Sequence, residues 1–169
     1  VAQLAGGQGA SVSPIRHEQL YSGHYVCVMR KDHPLAQSKL TVDDYCNANH
    51  LLVSFSGRAH GLIDEILAAS GRERRILLTV NQFFTAGRVV ANSDLITVLP
   101  RHLISATGMT DALICKELPF ETPEVHVDML WHERDGRNPA HKWLRDNLVN
   151  MTHSNLVPEL EQDVAPLHD

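Results

Sequence analysis

Four groupings in the sequence carry residue types that do chemistry. In "VHVDMLWH", His126, Asp128 and His132 fall on one face of a strand by its period of two. The first two of them could touch one metal ion. Against this, "HERDG" lacks the second histidine of an H-E-x-x-H pair, and no Cys-x-x-Cys occurs. The three side chains are therefore expected to form a polar strand face opposite Val125, Val127, Met129 and Trp131. Ser54 and Ser56 in "VSFSG" offer hydroxyl nucleophiles, but the G-x-S-x-G elbow is absent. "GGQGAS" resembles a phosphate loop without its third glycine or its Lys-Ser/Thr, and reads as a surface loop. Finally, "GRERR" (71–75) is the densest basic cluster, and Glu73 interrupts it. At the end of a helix such residues suit the negative pole of the dipole, so a solvated helix terminus is expected there. No catalytic residue, metal or cofactor follows from these patterns.

The elements that would position such groups are clearest after residue 50. "HLLVSF" is a buried strand, and "HGLIDEILAASG" is a helix with Leu62, Ile63, Ile66, Leu67 and Ser70 on one face and Gly71 as its stop. "ILLTV" (76–80), "FTAGRVVANS" (84–93) and "LITVLP" (95–100) continue as strand, helix and strand. This alternation implies parallel strands joined by crossovers, with the sheet covered on both faces. In such sheets ligands sit beyond the carboxyl ends of the strands. Two segments lie there. "SFSGR" supplies Ser54, Ser56 and Arg58, and "NQFFT" supplies Phe83, Phe84 and Thr85. Together they suit a small molecule with an apolar ring and a negative group.

The flanks give single elements. A strand is expected at 25–30, a short helix at 40–46 capped by Thr41, and another strand at 125–132. A helix follows with Asn138 as cap, Pro139 at N1, and Ala140, Trp143, Leu144, Leu148 and Met151 on one face. "VAQLAGG" reads as part of a strand, and the chain beyond Met151 as a mobile tail.

Composition bounds the function. The hydrophobic fraction of 43% with 21% charged residues describes a globular chain of 169 residues. No apolar run spans a bilayer, and "VAQLAGGQGASVSP" lacks a basic signal-peptide start. Three scattered cysteines, Cys27, Cys46 and Cys115, fit thiols in a reducing cytoplasm better than a disulfide framework. A net charge of −5 offers no general attraction to a nucleic-acid backbone.

Several segments, in order, carry a family resemblance: "CVMRKDHPLA", "LTVDDYCNANHLLVSFSGR", "IDEILAASG", "NSDLITVLPRHL" and "MLWHERDGRNPAHKWLRDNL". Together they resemble the effector-binding domain of LysR-type transcriptional regulators, over residues 20–150. The resemblance implies an α/β fold with two lobes like those of periplasmic binding proteins. It puts a complete second lobe at 51–124, a partial first lobe at 1–50 with 125–151, and a flexible tail at 152–169. It implies a small-molecule effector between the lobes; the residues expected to hold it are those read from the strand ends, Ser54, Ser56, Arg58, Phe83, Phe84 and Thr85, and no catalytic activity is expected. Family members carry an N-terminal winged helix-turn-helix that this sequence lacks, so a fragment of a longer regulator is expected. DNA contact then belongs to that missing segment, and the whole protein is expected to be a homodimer or tetramer in the cytoplasm, without membrane contact. Lys31, Asp32 and His33 read as the solvated turn ending a buried strand. Two alternatives remain open, a solute-binding protein of similar architecture and a small α/β enzyme.

Overall fold

The computed structural model describes residues 14–155. The strand expected in "VAQLAGG", the "GGQGAS" loop and the chain beyond 155 lie outside the described residues. Among the described residues seven strands form two sheets: β1 (Ile15–Gly23), β2 (Tyr25–Arg30), β3 (Asn49–Val53), β4 (Arg75–Val80), β5 (Leu95–Pro100), β6 (Leu113–Glu117) and β7 (Val125–His132). Four α-helices accompany them: α1 (Val42–Asn47), α2 (Leu62–Ala69), α3 (Phe83–Ala91) and α4 (Pro139–Asn155). The larger sheet has the order β4-β3-β5-β2-β6. In it β3 runs parallel to both β4 and β5, while β2 is antiparallel to β5 and β6. The parallel strand–helix alternation expected from residue 50 onward is therefore present.

β2 shows why a continuous apolar run makes a central strand. Successive side chains point to opposite faces, and Val26, Cys27, Val28 and Met29 are all fully buried. Val26 and Val28 enter one core with Leu51, Ala86, Val90 and Leu99, beneath α3. Cys27 and Met29 enter a second core with Tyr45, Ile63, Leu67 and Ile96, beneath α1 and α2. Each such side chain contributes about 1.5–3 kcal/mol through burial. Strand pairing joins β2 to the five-stranded sheet, where it lies between β5 and β6 and not beside β1 and β7.

The second sheet is the antiparallel pair β1–β7, running from Ile15 opposite His132 to Gly23 opposite Val125. α4 packs beside it, with the Arg145 guanidinium 4.8 Å from the centre of the Trp131 ring. Asn138 caps α4 by accepting from the Ala140 N–H at 3.0 Å. Its expected apolar stripe is uncovered, since Trp143, Leu144, Leu148 and Met151 are exposed. The helix also runs four residues past the expected start of the tail.

Two polar expectations need correction. Lys31 and Asp32 are exposed, but His33 is buried. Its Nδ1 accepts from the Leu35 N–H (3.1 Å) and its Nε2–H donates to the Asp94 carbonyl (3.2 Å). The ring thus caps the turn at Pro34–Ala36 and ties the end of β2 to the start of β5. In "GRERR", Arg72 pairs with Asp43 at the surface. Arg74, however, is a core residue with a side chain only 1% exposed. It donates to both Asp64 carboxylate oxygens (2.8 and 3.0 Å) and to the Tyr45 hydroxyl (3.0 Å). A cation five residues beyond the end of α2 folds back onto that helix because the helix's acid, Asp64 in the first turn, would otherwise be buried alone.

Candidate functional site

β3 and β4 end side by side. Beyond their last paired residues, Val53 and Val80, the Ser54 N–H donates to the Val80 carbonyl at 2.8 Å. The two following segments therefore leave the sheet together, at the carboxyl edge of three parallel strands. The first turns sharply, with the Gly57 N–H donating to the Ser54 carbonyl at 3.3 Å. Gly57 has φ +72°, a left-handed conformation that a side chain would disfavour. The second enters α3 directly, with Gln82 at its N-cap.

The hydroxyl groups of Ser54 and Ser56 lie 3.3 Å apart, and Arg58 Nε donates to Ser56 Oγ at 3.3 Å. The two segments also meet through aromatic rings. Phe55 and Phe83 stand edge-to-face, 5.6 Å between centroids at 76°. Phe83 is half-buried and packs on the core beneath α3. Phe84 is 58% exposed and Phe55 75% exposed. Phe83 and Phe84 differ in direction because they occupy the first turn of a helix, about 100° apart around its axis. A depression of about 380 Å³ is lined by Gln82, Phe84, Thr85, Arg88 and Val89.

Of the six expected residues, Ser54, Ser56 and Arg58 form one hydrogen-bonded group, and Phe83 joins it through Phe55. Phe84 and Thr85 line the depression on α3. Sequence reasoning missed Phe55, Gln82 and Arg88. Phe55 stands between the two serines, and Arg88 stands one helical turn after Phe84, so spacing alone could have found both.

The Ser54 and Ser56 hydroxyls bond to each other and the Arg58 guanidinium donates to Ser56, so the groups gathered here are hydroxyls beside a fixed positive charge. On β7, His126 and Asp128 are exposed, and His132 Nδ1 accepts from the Arg134 N–H at 3.1 Å. Among the described residues no group of three or more His, Cys, Asp or Glu side chains is arranged to hold a metal ion. Charge is held behind the site. Burial would raise the Asp64 carboxyl, but Arg74 and the Gly61 N–H (2.7 Å) hold it below its ordinary value. That bond fixes Gly61, at the far end of the segment Ser54 begins.

Known proteins similar to this chain in sequence and in shape include transcriptional regulators. Residues 4–152 match the model of the LysR substrate binding domain. The HTH-type transcriptional activator NahR of Pseudomonas putida is 31% identical over 133 residues, covering 79% of this chain and 44% of that protein. The chain thus spans less than half the length of this relative. Among solved structures, the regulatory domain of MexT, a transcriptional activator in Pseudomonas aeruginosa, has a TM-score of 0.69 and 32% identity over 81% of this chain and 67% of that one. The effector binding domain of QuiR in complex with shikimate shares the fold, with a TM-score of 0.66 and 17% identity over 88% of this chain and 70% of that one. With its strands, helices and matched residues in agreement, the chain belongs to the LysR substrate binding domain family.

Proposed function

We propose that this chain is the ligand-sensing module of a transcription regulator, and that its effector lies against the two segments at the ends of β3 and β4. The observation that carries this is their junction. The Ser54–Val80 hydrogen bond and the Phe55–Phe83 ring contact combine hydroxyls, a guanidinium and exposed rings in one place. Such a surface suits a small molecule with an apolar ring and a carboxylate, met by Ser54, Ser56 and Arg58 at its charge and by Phe55 and Phe84 at its ring. Phe83 acts as the support beneath them, and Thr85 adds a hydroxyl at the rim.

In this reading β1, β7 and α4 belong to one lobe and β2–β6 to the other, with the effector at the edge between them. The regulator contacts DNA through a separate helix-turn-helix segment, works as a homodimer or tetramer in the cytoplasm, and catalyses no reaction. The relatives named as activators support the regulatory role. Among the described residues, no helix is long and apolar enough to cross a membrane.

The test is thermal unfolding of the chain with benzoate, cyclohexanecarboxylate, phenol and acetate as probes. A carboxylate with a ring at about 100 times its Kd should add roughly 2.7 kcal/mol, or about 5–11 °C in a domain of this size. Ser56→Ala, Arg58→Ala and Phe84→Ala should reduce that shift while leaving the ligand-free Tm close to wild type. If no substitution at 54–58 or 81–85 lowers the shift without unfolding the domain, the site assignment is wrong.

A further inference from the structure

Within the described residues the chain passes between the two sheets twice. The first crossing is at Gly23–His24, where β1 leads into β2. The second is the segment from Glu117, the last residue of β6, to Val125, the first of β7. Arg101 reaches both. Its backbone N–H donates to the His24 carbonyl at 3.0 Å. Its Nε donates to His24 Nε2 at 3.1 Å, and its Nη2 donates to Glu117 Oε1 at 2.8 Å. The first crossing is further held by Tyr21, whose ring meets that of His102 edge-to-face at 4.9 Å. Gly23 lies so close that a Cβ there would sit 3.4 Å from His102 Nδ1.

We propose that Arg101 is a positioning residue that clamps the two crossings to each other, so that they move as one hinge. Three features carry this. The Arg101 side chain is 18% exposed, so the guanidinium is held at the crossings while the Glu117 carboxylate it meets reaches solvent. The guanidinium donors diverge from one rigid plane and can serve His24 and Glu117 at once, a geometry that a lysine ammonium does not reproduce. Arg101 also directly follows Pro100, the last residue of β5. β5 is parallel to β3 and β3 to β4, so the clamp stands on the same sheet edge as Ser54 and Asn81. A shift of that edge reaches both crossings through one side chain. The use of this clamp in signalling rests on the effector reading above, whereas the clamp itself is a property of the ligand-free chain.

The experiment is amide hydrogen exchange of the ligand-free chain in variants. Glu117→Ala removes a carboxylate that is 69% exposed, so the fold is kept. It should accelerate exchange on the other crossing, at residues 21–25 and at the Arg101 amide, by roughly two- to fivefold, the scale of an ion pair with one exposed partner. Arg101→Lys should do the same at both crossings. Glu117→Gln keeps an acceptor and should restore most of the protection. The proposal is overturned if Glu117→Ala loosens only 117–124, if Arg101→Lys exchanges like wild type, or if exchange rises evenly through the five-stranded sheet. None of these readings involves a ligand, so failure of the probes in the thermal test would count against the effector site alone.

Discussion

Replacing Asp64 by alanine leaves the Arg74 guanidinium, 1% exposed, without its carboxylate. Both charge-assisted bonds vanish (2.8 and 3.0 Å), and the Tyr45 hydroxyl remains as acceptor. Breaking a buried pair from one side costs about 3–5 kcal/mol, because the surviving charge stays desolvated. Domains of this size have about 5–15 kcal/mol in total, so the loss is a large share. At about 2–4 °C per kcal/mol, the melting temperature should fall by roughly 6–20 °C. The assay is urea unfolding followed by far-UV circular dichroism at neutral pH. The double variant Asp64→Ala/Arg74→Met should recover much of the loss, since it removes the stranded charge as well. The pH dependence has a defined sign. The Asp64 carboxyl is held below its ordinary value in the folded chain: burial opposes this, and the Arg74 bonds prevail. Its contribution is therefore complete above the unfolded carboxyl value of about 4 and lost as pH falls through the lower folded value. A loss below about 1 kcal/mol for Asp64→Ala would refute the reasoning, since that is the range of an exposed pair.

His50 titrates in a separate window. Burial pushes its ring down to about 4, so its neutral form contributes stability above the unfolded value of about 6.5 that is lost as pH falls toward 4. That loss is at most roughly 3 kcal/mol, and His50→Gln should flatten the slope of stability against pH between those values. A Cβ on Gly87 would lie 2.6 Å from Thr107 Cβ, so Gly87→Ala should cost about 1–3 kcal/mol in urea unfolding, with partial relief in Gly87→Ala/Thr107→Ser. Gly71, at φ +68°, has open space around its Cα, so Gly71→Ala should cost about 1–2 kcal/mol from backbone conformation alone. Phe83→Ala should lower the ligand-free melting temperature more than Phe84→Ala, because only Phe83 packs on the core.

The parallel unit was legible because its signals are local. "HLLV", "ILLTV" and "LITVLP" carry apolar runs of strand length, Gly71 stops α2, and Thr41 forms its capping box with Asp44. What stayed hidden depends on partners distant in sequence. β2 reads as a lone flanking strand, and only its pairing with β5 and β6 places it mid-sheet. "LICKE" is too short and too mixed to announce β6, because one of its long sides is an edge. His33 reads as part of a charged turn, and its burial depends on the Asp94 carbonyl, 61 residues away. Arg74 sits in a run of charges that looks solvated, and ten residues separate it from the acid that draws it inside. At the candidate site the turn residues and loop positions were readable. The Phe55–Phe83 contact was not, since it depends on how β3 and β4 align.

The central claim is that a small ring-bearing carboxylate binds at the ends of β3 and β4. Amide chemical-shift mapping during titration with benzoate and cyclohexanecarboxylate tests it most directly. Saturable shifts are expected to concentrate at 54–58 and 81–85, with the exposed face of α4 unmoved. Shifts that concentrate on the exposed face of α4, or that leave 54–58 and 81–85 unchanged while the domain is stabilised, would contradict it.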